Sequence, residues 1–268
     1  MYGTGEYARI AQVSKRLLHY YDEIGLFQHG SGTNKNERQI LDKNTYKNIR
    51  RNMMEYSAKF WEKIADQYSK ESIADEAAYQ KKLQVTQEYL KPHMEVLEFG
   101  CGTGSTAIIH APYVKHIRAI DFSSKMIDIA RSKADTQNIK NITFEQLTID
   151  ELKLDDSSLD VVLGLSILHL LEDKKTVINK AYKMLKPGGV FVSSTACLGD
   201  SMKWYKYIAP IGIFFRLIPL VKVFTVKELQ KNLTDAGFKI DYQWQPDKIT
   251  NKGIFKLKAV FIVAKKAE

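Results

Sequence analysis

The chain has 268 residues, 44% hydrophobic and 26% charged, enough for one sizeable core and a small extra module. Its two cysteines, Cys101 and Cys197, suggest neither a disulfide framework nor a metal site, and with no signal-peptide pattern they point to a cytoplasmic setting. No apolar run reaches the ~18 residues of a membrane span, and the net charge of +9 is spread along the chain as solubilising surface.

Residues 1–52 come first. The Glu6-Tyr7-Ala8 opening, the Val13-Ser14 turn and the run Tyr20-Tyr21-Asp22-Glu23-Ile24-Gly25-Leu26 resemble the helix-turn-helix of MerR-type regulators. The resemblance implies a small all-α module whose second helix sets Lys15, Arg16 and His19 against DNA phosphates. It departs from the pattern at Leu17 and His19, where that family carries Thr and Arg, and in a degenerate wing over 37–46. No long dimerising helix is expected after it, because a different pattern begins at 53. A degenerate or repurposed module is the favoured reading, and DNA binding the weaker one.

Residues 53–92 read as helical, with Phe60, Trp61, Ile64, Ala65 and Tyr68 at helical spacing and Pro92 closing the segment. This helix either packs on the sheet built by the later strands or caps a pocket, Tyr68 being the candidate contact. From about 93 onward strands and helices alternate. Strands are predicted near 94–99, 116–121, 141–146, 160–165 and 190–196, with helices near 104–111, 124–134 and 173–185. Leu185-Lys186-Pro187-Gly188-Gly189 reads as a helix end with glycine as its left-handed stop. Two last strands, 238–244 and 253–264, are expected as an antiparallel hairpin at the sheet edge.

The stretch with most chemistry is Val96-Leu97-Glu98-Phe99-Gly100-Cys101-Gly102-Thr103-Gly104-Ser105. An apolar strand ends in an acid, breaks into alternating glycines and enters a helix, so a ligand can lie against bare N–H groups. About 20 residues later Ala119-Ile120-Asp121 ends a second strand in a carboxylate, placed for ribose hydroxyls. A dinucleotide site would want G-x-G-x-x-G and a pyrophosphate. Here the spacing is G-x-G-x-G, and Glu98 would repel a pyrophosphate while suiting an ammonium and a sulfonium.

With 96–106, 119–131, 159–173 and 185–192, and the segment from Phe224 to Phe238, residues from about 53 to 268 resemble a class I S-adenosylmethionine (SAM)-dependent methyltransferase. The resemblance implies an α/β, Rossmann-like, doubly wound fold with a mainly parallel seven-stranded sheet and an antiparallel last strand, preceded by the helix-turn-helix-like module. It implies SAM as cofactor. Glu98 would take the ligand's amino group. Gly100, Cys101, Gly102 and Gly104 would form the close-approach turn, and Asp121 would accept from both ribose hydroxyls. Phe122 and Met126 would pack on adenine, Thr148 and the Ile149 N–H would meet its edge, and Leu165 and Ser166 would line the methionine portion. Where the family commonly has an Asp for the adenine amino group, this chain has Thr148.

His169 falls where the family faces methyl transfer; it is a candidate to hold or deprotonate an acceptor hydroxyl, or else a core histidine. No metal spacing is present among the six histidines. Residues 201–220 are strongly apolar and aromatic, with Lys203, Lys206 and Arg216 interspersed. In related enzymes an insertion there roofs the acceptor pocket, and this composition points to a small lipophilic acceptor, anionic, quinone-like or lipid-like, the alternatives being a helical hairpin that only packs on the sheet and a peripheral membrane contact. Methyl transfer by in-line displacement is the leading reading. A DNA-binding regulator with a SAM-sensing domain is the alternative, alongside methylation of protein or RNA.

Overall fold

The computed structural model describes residues 43–73, 75–201, 221–246, 250–252, 255–257 and 259–268. The helix-turn-helix expectation over 1–42 and the apolar stretch 202–220 lie outside the described residues. The chain divides into two compact units, residues 1–57 and 58–268. Helix α1 (Lys43–Lys70) runs as 28 continuous residues and so begins ahead of the helical reading from residue 53. The physical reason is composition: neither Gly nor Pro occurs between 43 and 91 to stop it. The predicted single helix over 53–92 is nevertheless divided. Asp75 caps α2 (Glu76–Glu88) by accepting from the Ala78 N–H at 3.0 Å. A short aspartate competes with the helical ladder for its own backbone, and a corner results.

In the second unit β1 (Glu95–Phe99), β2 (His116–Asp121), β3 (Ile142–Gln146), β4 (Leu159–Leu165) and β5 (Leu185–Ala196) pair in parallel. β6 (Lys239–Trp244) and β9 (Ala259–Lys265) complete a seven-stranded sheet of order β3-β2-β1-β4-β5-β9-β6. β9 runs antiparallel to both its neighbours, so the predicted edge hairpin is present with its last strand inserted against β5. What was read as one strand over 253–264 is two pieces. A small ribbon, β7 (Thr250–Lys252) on β8 (Phe255–Leu257), precedes β9.

Parallel strands need both faces covered. On one face Leu97, Phe99, Val162 and Phe191 meet Ile178 of α5 (Lys174–Met184) and Leu229 and Leu233 of α6 (Val226–Asp235). On the other, Val96, Leu163 and Val192 meet Val85 of α2, Ile108 of α3 (Ser105–His110) and Ile127 of α4 (Ser124–Thr136). The one-residue alternation along β1 therefore sets Glu98 on the α2–α3–α4 face, at the strand's carboxyl end.

The Leu185–Gly189 segment departs from its expected role. α5 ends at Met184, and Leu185 is already extended and paired with Leu159. Val190 next pairs with Val161, so 186–189 bulge out of the strand; Gly188 supplies the left-handed turn of that bulge, not a helix stop.

Candidate active site

The sheet order reverses beside β1, whose neighbours are β2 and β4, and the turn leaving β1 opens at that switch point. Gly100, Gly102 and Gly104 all have positive φ, at 66°, 53° and 73°. Their roles differ. A Cβ on Gly104 would sit 2.7 Å from Ala130 Cβ and 2.8 Å from the Phe144 ring, so its missing side chain is filled by the protein's own packing. Gly100 is likewise pressed by Ile167. A Cβ on Gly102 would meet only the Tyr68 ring, at 3.9 Å. Gly102 is thus the glycine whose bareness faces the cavity.

That cavity, of about 670 Å³, is bounded by the turn, by the α1–α2 corner and by the ends of β4 and β5. Of the residues predicted to bind cofactor, Glu98, Gly100, Cys101, Gly102, Leu165 and Ser166 line it. Gly104, Asp121, Phe122, Met126, Thr148 and Ile149 are not among its lining residues, and nor is His169. Tyr68, singled out for its helical position, does line it, as do Tyr79, Lys82, Thr106, His110 and Ser194.

Glu98 is 3% exposed, and its Oε2 has no hydrogen-bond partner among the described residues. Burial, with the charge of Asp121 adding to it, pushes its carboxyl up to about 8. A buried carboxyl with an open oxygen at the floor of a cavity calls for a cation or donor from the ligand. This is the observation against which SAM can be tested, and its ammonium fits.

Asp121 is buried between the turn and α4. Oδ2 accepts from the Gly102 N–H at 3.0 Å and Oδ1 from the Ser123 N–H at 2.9 Å. Burial raises its pKa while these bonds hold it down. A carboxylate can accept about four hydrogen bonds, so the backbone donors of Gly102, Ser123 and Phe122 leave capacity for a ligand hydroxyl. Asp121 also holds the Gly102 turn in shape.

The adenine end is less as expected. Thr148 donates its hydroxyl to Glu151 Oε2 at 2.7 Å and accepts from the Glu151 N–H at 3.2 Å, so the side chain is committed to a local turn. Ile149 is 6% exposed and Met126 2%, both packed in the hydrophobic core. Met126 donates its N–H to Ser123 Oγ, the cap of α4. Phe122 is half-buried at the same corner. The Cys101 thiol is buried, its pKa raised well above the usual thiol range by burial.

His169 lies in a 3-10 turn (Leu168–Leu170), its Nδ1 3.1 Å from Thr195 Oγ1. Burial holds it neutral, with a pKa near 4. Along β5, Thr195 points to the face opposite Ser194, so the structure does not bring His169 to the Glu98 cavity. Sequence reading missed His110, 0% exposed with both ring nitrogens unpartnered among the described residues, and Lys82, whose Nζ donates to Ser194 Oγ at 3.4 Å. The available signal was helical spacing: Tyr79, Lys82 and Thr86 share a face of α2, as Thr106 and His110 do on α3. Among the described residues no His, Cys, Asp and Glu cluster is placed to hold a metal ion.

This switch-point sheet, glycine turn and pair of buried carboxylates form the Rossmann-like arrangement of a methyltransferase domain. The profile of the methyltransferase domain family matches residues 90–255, and the chain belongs to that family. It is 28% identical over 130 residues to the uncharacterized methyltransferase YcgJ of Bacillus subtilis, covering 48% of this chain and 51% of that one. It is 29% identical over 134 residues to a demethylmenaquinone methyltransferase of Leptospira interrogans, covering 48% and 53%. The chain thus spans about half the length of these curated relatives. A SAM-dependent methyltransferase of Methanosarcina mazei shares the fold with TM-score 0.57 at 23% identity, covering 68% of this chain and 97% of that one. No helix among the described residues is long and apolar enough to cross a membrane.

Proposed function

We propose that the chain transfers a methyl group from SAM to a small, hydrophobic acceptor by in-line displacement. The observation that carries this reading is the buried, unpartnered carboxyl oxygen of Glu98 at the floor of a glycine-turned cavity. SAM supplies an activated methyl group on a sulfonium. The chain's own residues bind and align. Glu98 takes the cofactor's ammonium, Gly102 allows close approach, and Asp121 accepts from the ribose hydroxyls. Tyr68 and the α1–α2 corner close over the turn and exclude water. No acid is needed for the leaving group, which departs as a neutral thioether, and the acceptor enters as its anion or gives its proton to solvent. A lipophilic acceptor is supported by the apolar composition of 201–220 and by the quinone substrate named for the Leptospira relative.

Calorimetric titration of S-adenosylhomocysteine (SAH) tests the cofactor. Micromolar binding is expected in the wild type, weakened at least about tenfold in Asp121→Ala, roughly 1.4 kcal/mol. No binding to the wild type would refute the proposal.

A further inference from the structure

Lys82 has no assigned role in cofactor binding, yet it is half-buried and lines the cavity. Its ammonium reaches from α2 across to β5, where it donates to the neutral Ser194 hydroxyl. Asp75 is the carboxylate whose charge acts on it, and Asp75 is already engaged as the cap of α2. Burial lowers the Lys82 pKa. A half-buried cation whose one hydrogen bond among the described residues is to a hydroxyl leaves donor capacity directed at whatever fills the cavity.

The position decides which part of the ligand that is. Glu98 aligns with Leu163, and Leu163 with Val192. Ser194 therefore stands two strands over and two residues nearer the carboxyl edge, about 12 Å from Glu98 by ideal sheet spacings. The amino and carboxylate groups of a methionine sit on one carbon, so an ammonium held by Glu98 keeps its carboxylate toward the β1 side of the cavity. Lys82 therefore stands on the β5 side of the cavity, away from the strand that carries Glu98, where the second occupant would lie.

Resting on the methyltransferase reading, we infer that Lys82 and Ser194 form an anion-binding subsite for the methyl acceptor, which carries a carboxylate or similar oxyanion beside its apolar body. The surrounding residues suit such a molecule: Leu83 and Ala259 are apolar, while Tyr79 offers a further hydroxyl.

The test uses the SAH-saturated full chain and two matched probe pairs, octanoate with octanamide and 3-phenylpropanoate with 3-phenylpropanamide. Affinities are read by ligand-observed NMR in the wild type, Lys82→Met and Lys82→Arg. The wild type is expected to prefer each acid over its amide by at least about fivefold, Lys82→Met to lose that preference, and Lys82→Arg to keep most of it. SAH affinity in Lys82→Met should stay within about twofold of wild type, which also reports that the variant is folded. Equal binding of acid and amide, no binding of either pair, or a preference that survives Lys82→Met would overturn the inference. A tenfold or greater loss of SAH affinity in Lys82→Met would also overturn it, by giving the anion to the cofactor. Failure of the wild type to bind SAH at all would instead sink the methyltransferase reading beneath it.

Discussion

Glu98→Gln keeps the shape of the side chain and removes its charge, so it isolates what that charge costs the fold. In the ligand-free protein the carboxyl lies at about 8 against an ordinary value of 4.5. At roughly 1.4 kcal/mol per pH unit, the fully ionised group costs the fold up to about 5 kcal/mol. The sign comes from proton counting. Between the two values the folded chain holds a proton that the unfolded chain has lost, so stability falls as pH rises through that window. Below it, wild type and Glu98→Gln should be equally stable. The gap should open in favour of the variant as pH rises and level off once the folded carboxyl has ionised. Urea unfolding of both proteins from about pH 4 to about pH 9 reads this directly. Saturating SAH should flatten the wild-type slope, because its ammonium stabilises the carboxylate, while Glu98→Gln should bind SAH more weakly. A stability gap that does not change with pH would refute the assignment of Glu98 as a desolvated, unpaired acid.

The glycine turn makes a paired prediction. Gly104→Ala should lower stability by about 3 kcal/mol or more, from left-handed strain plus the overlap with Ala130 and Phe144, read in a thermal or denaturant melt. Gly102→Ala should cost only the strain, about 1–2 kcal/mol, yet weaken SAH binding by about tenfold or more in calorimetry. Equal effects of the two on binding would undo the distinction drawn between them. At α6, Thr225 and Glu228 form a reciprocal capping box. Thr225→Ala should lose about 1 kcal/mol of stability by denaturant titration, leaving SAH affinity unchanged.

How much of this was legible beforehand depends on how local each feature is. The strand-turn-helix of β1, Asp121 at the end of β2 and the order of elements from residue 93 could be read from short-range patterns, because parallel strands with two covered faces are near-continuous apolar runs and left-handed turns demand glycine. Even there, local reading mistook the Leu185–Gly189 bulge for a helix stop, since proline and glycine punctuate both. It could not divide the helical stretch at Asp75 either, where one side-chain cap outweighs helical propensity on both sides.

What only the tertiary structure decided is which side chains share a space. Gly104 and Gly102 look alike in the sequence, and they part company because Ala130 and Phe144 pack against one and a cavity opens against the other. Thr148 reads as a free hydroxyl until Glu151 takes it. Glu98 reads as a ligand acid from its motif, but the burial that lifts its pKa comes from the sheet and helices around it. Lys82 and Ser194 lie 112 positions apart and meet only because α2 packs across the end of β5. The motif residues were legible because their chemistry lies within one turn of backbone; the rest of the cavity belongs to pairings of distant segments that only packing specifies.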